Sequence, residues 1–187
     1  LFMATGRAAY PLIGSGMFVV GAFFAWQAFS HVERRIVAWL RPFSDFDGAG
    51  YQIAQGLFAM GSGSLAGSGV GLGRPELIPF AQTDFLFAAV GEELGLAGGV
   101  VVLCAYALLV AVGFGVALRS RDLFRKLLAA GLTFALGLQT FLIIGGVIRI
   151  LPLTGITLPV MSYGGSSLVT NMLLIVLLAR LSHEEPA

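Results

Sequence analysis

The side chains best suited to chemistry fall in three stretches. The first is LIPFAQTDFLFAAVGEELG, where Asp84, Glu92 and Glu93 stand among Phe85, Leu86, Phe87 and Val90. Acidic groups near membrane depth are costly and by default mark a functional site. A carboxylate whose pKa is raised by apolar neighbours can act as a general base. The plainer reading is a helix start, with Thr83 as the cap and an acid in the first turn to suit the dipole. The second stretch, GSGSLAGSGVGLG, places glycine at 61, 63, 67, 69, 71 and 73. So much glycine resists a regular helix and suits a backbone folded tightly against another surface or ligand. It lacks the Lys-Ser/Thr of a phosphate loop. Arg74 follows it and has two readings: a charge-assisted contact to an anionic headgroup or pyrophosphate, or a loop arginine at the membrane surface. The third stretch, ILPLTGITLPVMSYGGSSL, carries Thr154, Thr157, Ser162, Tyr163, Ser166 and Ser167. Such hydroxyls serve helix packing in lipid, or they form a polar wall for a sugar. With no G-x-S-x-G elbow and no histidine nearby, a serine hydrolase is poorly supported. Cys104 is alone, so an intrachain disulfide or cysteine zinc cluster is excluded. His31 and His183 are far apart in sequence and show no ligand spacing, so no metal site is predicted.

The elements that must position these residues are membrane helices. Of the 187 residues, 57% are hydrophobic and only 11% charged, and the mean hydropathy is +0.91. A soluble domain carries about a quarter charged residues, so this chain cannot coat a water-facing surface. The formal net charge of +1 gives no electrostatic footprint for nucleic acid. A bilayer core needs about 20 apolar helical residues to cross it, and four spans are predicted, at about 8–30, 94–118, 127–148 and 161–181. The expected fold is an all-α polytopic membrane helix bundle with a long outer re-entrant and interfacial loop over 31–83. The chain opens on Leu1 rather than Met, without a basic n-region and cleavage site, and is expected to belong to a longer protein.

The short basic loop Arg119 to Lys126 predicts a cytoplasmic connection. Alternation then puts 31–83 and 149–160 outside and both termini, with Arg7, inside. Within the outer segment, Val32, Ile36 and Leu40 recur opposite Glu33, Arg34 and Arg35, the pattern of a short helix in the interface plane ended by Pro42. Asp45-Phe46-Asp47-Gly48 reads as a turn, and Tyr51 to Met60 as a short helix dipping into the membrane. A helix from Asp84 to Leu118 would run about 50 Å at 1.5 Å per residue, against a hydrocarbon core of about 30 Å. Its outer part is therefore expected to rise above the lipid, tilt or bend, at Gly91 or Gly95, with Asp84 at the outer water boundary.

Taken together and in order, these stretches resemble the SEDS family, the FtsW/RodA/SpoVE group of bacterial cell-wall proteins. The match runs through Ile78-Pro79, Thr83-Asp84-Phe85, Glu92-Glu93-Leu94-Gly95, Leu151-Pro152, Thr154-Gly155, Leu158-Pro159 and Ser162 to Ser167. Two departures stand out: Ile143 where relatives often have Asn, and Arg149 where they often have Gly. The resemblance implies the C-terminal part of a fold of about ten membrane helices, multi-pass in the bacterial inner membrane, with the RodA-like actinobacterial type favoured. It implies a peptidoglycan glycosyltransferase that polymerises lipid II, the undecaprenyl-pyrophosphate-linked disaccharide, beside a class B penicillin-binding protein. Asp84 falls on the family's essential aspartate and would be the general base. Arg74, where many relatives carry Lys, would face the leaving pyrophosphate, and a divalent cation is compatible with that chemistry. Thr83, Glu92, Glu93, Ser162, Tyr163, Ser166 and Ser167 are the remaining expected substrate-binding residues. Two other functions stay open: a lipid II flippase, against which the uncharged spans argue, and a scaffold for the penicillin-binding protein.

Overall fold

The computed structural model describes residues 9–44, 46, 48 and 50–183. Arg7, the Ala8 start of the first predicted span, and Asp45 and Asp47 of the predicted turn lie outside the described residues. Among the described residues six α-helices follow in order: α1 Ala9–Ala28, α2 Ser30–Leu40, α3 Tyr51–Gly63, α4 Leu86–Arg119, α5 Leu123–Val147 and α6 Gly165–His183, with a 3₁₀ turn at Pro75–Leu77. Helices α4, α5 and α6 are long and apolar enough to cross a membrane, and the bent pair α1–α2 makes a fourth span if taken together. The all-helical bundle expected from composition is what the chain forms.

Element ends move by a few residues, each for a local reason. The chain turns by 100° between α1 and α2, so the amphipathic stretch lies across the direction of α1, as the pattern of Val32, Ile36 and Leu40 predicts. Helix α5 begins four residues before the predicted span because Asp122 caps it, accepting from the Arg125 N–H at 3.1 Å. Helix α6 begins at Gly165 rather than 161 because residues 158–162 close a tight turn. In it the Ser162 N–H donates to the Leu158 carbonyl at 3.1 Å and the Ser162 hydroxyl accepts from the Leu158 N–H at 3.0 Å.

Two packed cores stabilise the bundle from opposite ends. One gathers Ile53, Ile78, Phe85, Phe87, Ile143, Val147 and Leu158 beneath the long loops, with Phe85 and Val147 fully buried. The other joins Val116, Ala117, Ala129, Leu136 and Leu178 near the short α4–α5 connection. Ile143, one of the two departures from the family pattern, is simply core. Much of the remaining apolar surface is exposed, Phe18 and Met17 on α1 included. Lipid is the natural solvent for such a surface. An apolar groove of about 630 Å³ also runs between α4 and α5, lined by Leu103, Val110, Phe134, Phe141 and Ile148 among others.

Candidate active site

The predicted bend in α4 is found at Gly95, whose φ of 66° and ψ of −164° break the helix. A helix break in an apolar setting strands carbonyls and N–H groups that need partners. The glycine-rich segment supplies them. The Ser68 and Gly69 N–H groups donate to the carbonyls of Glu92 and Glu93 at 2.9 and 3.0 Å, and the Leu96 and Ala97 N–H groups donate to Ser64 and Leu65 at 3.0 and 3.3 Å. Approach this close leaves no room for side chains: a Cβ on Gly95 would lie 2.3 Å from the Gly67 nitrogen, and one on Gly67 2.1 Å from the Glu93 oxygen. The glycines therefore do fold against another surface, which is the helix's own break. Helix α3 runs on through Gly61 and Gly63, three residues past Met60, before this segment begins.

At the same junction Glu92 is only 8% exposed. Its Oε1 accepts from the Arg74 backbone N–H at 3.0 Å, while its Oε2 is buried without a partner. Glu93 is half-buried, its Cγ 3.0 Å from where a Cβ on Gly73 would stand. Arg74 itself is exposed. Glu92, Glu93 and Arg74 thus form one cluster, in which Glu92 touches protein backbone.

Asp84 belongs to a second cluster. Helix α4 starts at Leu86, two residues later than predicted, and its N-cap Phe85 has no side-chain cap bond. Thr83 is not a helix cap. Its hydroxyl donates to the Phe80 carbonyl at 3.1 Å, in a turn where the Thr83 and Asp84 N–H groups donate to the same oxygen. Phe80 has a φ of 59° there, and that left-handed turn uses up the group that would otherwise cap. The turn leaves Asp84 half-buried at the head of α4. Burial raises its carboxyl above the ordinary carboxylate range, and the Thr83 hydroxyl and the Arg35 charge offset part of that rise. A Cβ on Gly155 would lie 3.4 Å from Arg35 Nη2 and 3.6 Å from Asp84 Oδ2, so α2, the head of α4 and the 149–164 loop meet at one point.

That loop has little regular structure, and side chains from three helices hold its carbonyls. Arg35 Nη1 donates to Leu153 and Thr154 at 3.2 and 2.8 Å. Gln139 of α5 donates to Thr157 at 2.9 Å, and the Tyr106 hydroxyl of α4 donates to Pro159. Arg149, at a φ of 62°, lies in the region that glycine occupies without cost. Its guanidinium donates to the Trp39 carbonyl at 2.9 and 3.2 Å, and the Trp39 indole donates back to the Arg149 carbonyl at 3.0 Å. This clamp fixes the end of α2 and offsets the strained backbone.

The remaining predicted residues divide. The Tyr163 N–H donates to the Gln82 carbonyl at 2.8 Å, which brings its backbone beside the Thr83–Asp84 turn, and its side chain is exposed. Ser166 is exposed in the first turn of α6. Ser162 is buried in its own turn. The Ser167 hydroxyl accepts from Thr157 at 2.6 Å and from Asn171 at 3.1 Å, bonds that tie the loop to α6. Among the described residues no three His, Cys, Asp or Glu side chains converge as metal ligands. Arg35, Gly155 and Gln139 were missed as site residues. Arg35 had the look of an ordinary solvated charge on an amphipathic helix, and its partners lie over 100 positions away.

A bent, loop-threaded membrane helix that presents one carboxylate beside an arginine defines a polytopic membrane protein with an acidic site at one end of its bundle. The particular family follows from comparison. The FtsW/RodA/SpoVE model, described as cell cycle protein, matches residues 1–187, and the chain belongs to that family. It is 48% identical over 183 residues to the peptidoglycan glycosyltransferase RodA of Mycobacterium tuberculosis, covering 98% of this chain and 39% of the relative. It is 40% identical over 187 residues to the probable peptidoglycan glycosyltransferase FtsW of Geobacter metallireducens (97% of this chain, 49% of the relative). To the stage V sporulation protein E of Bacillus subtilis it is 40% identical over 151 residues, 80% of this chain and 41% of that one. A solved structure described as "Structural coordination of polymerization and crosslinking by a peptidoglycan synthase complex" superposes with a TM-score of 0.71 at 30% identity, covering 97% of this chain and 51% of that chain. The chain thus spans about half or less of the length of these relatives. Family and spans together make it a multi-pass inner-membrane protein.

Proposed function

We propose that this chain is the C-terminal part of an inverting peptidoglycan glycosyltransferase that polymerises lipid II, with Asp84 as general base. The carboxylate takes the proton of the acceptor sugar's 4-hydroxyl as that oxygen attacks the anomeric carbon of the donor. The bond from that carbon to the lipid pyrophosphate breaks, the pyrophosphate leaves with the electron pair, and the configuration inverts. Positive charge near a departing pyrophosphate stabilises the transition state, and exposed Arg74 is the group assigned to it. No step is assigned to a metal ion. Tyr163 and Ser166 supply the polar wall facing the sugars, Thr83 sets the turn that carries the base, and Glu92 and Glu93 act through the loop they hold.

The observation that carries this reading is the placement of Asp84: half-buried, its pKa raised by burial, at the meeting point of three elements, in a chain 48% identical to a named peptidoglycan glycosyltransferase. The structural neighbour is a synthase complex that coordinates polymerisation with crosslinking, and this supports a class B penicillin-binding protein as partner. The test is lipid II polymerisation by the full-length protein with that partner. Asp84→Asn is expected to reduce glycan synthesis by at least about a thousandfold, within the range that general-base and positioning effects reach, with insertion and partner binding unchanged. Polymerisation by the variant at the wild-type rate would reject the base. Loss of partner binding instead would favour a scaffold.

A further inference from the structure

Arg35 sits on the polar face of α2, where an interfacial helix carries solvated charges. In the fold it is engaged on two sides. Nη1 donates to the carbonyls of Leu153 and Thr154, and Nη2 and Asp84 Oδ2 flank the same vacant Cβ position at Gly155, 3.4 and 3.6 Å from it. A planar guanidinium can use one nitrogen on two carbonyls and hold a second, separate nitrogen toward a carboxylate in a fixed fork, whereas an ammonium is a single point charge with no such geometry. A methyl at 155 would touch both charged groups.

We propose that Arg35 is a positioning residue for the transfer reaction: it pins the Leu153–Gly155 backbone as one wall of the acceptor site and sets its charge beside Asp84. The inference rests on Asp84 being the base. The groups that face Asp84 are the Thr83 hydroxyl of its own turn, Arg35 from α2 and the Gly155 backbone of the 149–164 loop, so the opposing charge comes from α2. Removing that charge leaves only the Thr83 hydroxyl to offset burial. The carboxylate then stays protonated to higher pH, and activity that needs its charged form is lost from the acid side.

The experiment measures lipid II polymerisation against pH for the full-length protein with its crosslinking partner, comparing Arg35→Gln, Arg35→Lys and Asp84→Asn. For Arg35→Gln the acidic limb moves to higher pH. For Arg35→Lys the limb stays in place while kcat falls about ten- to a hundredfold, the scale of a misplaced site, because the double carbonyl contact is lost. A wild-type profile in Arg35→Gln overturns the inference. So does an equal loss in both variants with the limb unmoved, which is the signature of a merely structural arginine. If Arg35→Gln does not insert, Gly155→Ala carries the test: its methyl touches both charged groups and takes water from them, so the limb again moves up, and an unmoved limb there counts against the inference. Activity in Asp84→Asn defeats the base reading whatever Arg35 does. An inactive Asp84→Asn with a limb indifferent to Arg35 defeats only this inference.

Discussion

The two ends of the bundle are built on opposite principles. At the α4–α5 connection, three residues join two long helices, Asp122 caps the second, and an apolar cluster from Val116 to Leu178 packs beneath. At the other end the chain breaks local rules repeatedly. Ser64, Phe80, Arg149 and Val160 all have positive φ, from 52° to 67°, and all four lie in the segments that build or flank the candidate site. A β-branched residue such as Val160 is a true outlier there. Strain of this kind costs about 1–3 kcal/mol per residue and persists only where the surroundings over-determine it. Here the surroundings are the helix-derived donors on loop carbonyls and the loop threaded through the α4 break. Both ends carry a packed core, and the loop end in addition fixes a carboxylate and two arginines.

Breaking the contrast should be easiest at Asp84. Asp84→Asn should abolish polymerisation and leave the fold and membrane insertion unchanged, as measured on the full-length protein. In the wild type, because burial raises the carboxyl, polymerisation should fall as pH drops through a value above the ordinary carboxylate range, read as the acidic limb of kcat/KM. Gly95→Ala comes next. Its Cβ would press on the Gly67 nitrogen at 2.3 Å and the Leu65 oxygen at 2.6 Å, at a φ of 66°, so the loop must leave the helix break. Activity should drop at least about a hundredfold, as for a misplaced site, with a lowered thermal midpoint in detergent; retention of both would show that the junction is not needed. Tyr106→Phe deletes the hydroxyl that donates to Pro159 and should destabilise by about 1–2 kcal/mol, with a modest fall in kcat, because the 149–164 loop loses one of the side chains that hold its carbonyls. The smallest effect belongs to the opposite end. Asp122→Ala should lower stability by about 1 kcal/mol through loss of a cap and leave polymerisation unchanged. A catalytic defect in that variant would mean the two ends are coupled.

Residue patterning settled much of this molecule unaided. The scarcity of charge required a lipid environment, the apolar runs required helices, and the mismatch between the length from Asp84 to Leu118 and a bilayer called for a rise, a tilt or a bend, of which the structure shows a bend at Gly95. Those features depend on neighbours within a few turns, so they are written locally. The resemblance carried by the Thr83-Asp84 and Ser162 to Ser167 stretches fixed the family, which the comparisons bear out. What local pattern could not supply was partnership. Thr83 looked like a cap until Phe80 took its hydroxyl; nothing in the sequence near Ser167 announces the bonds it accepts from Thr157 and Asn171. Arg35 looked idle because its carbonyl partners lie more than 100 residues on. A polar side chain's role depends on which group reaches it first in space, and that is decided only when distant segments pack.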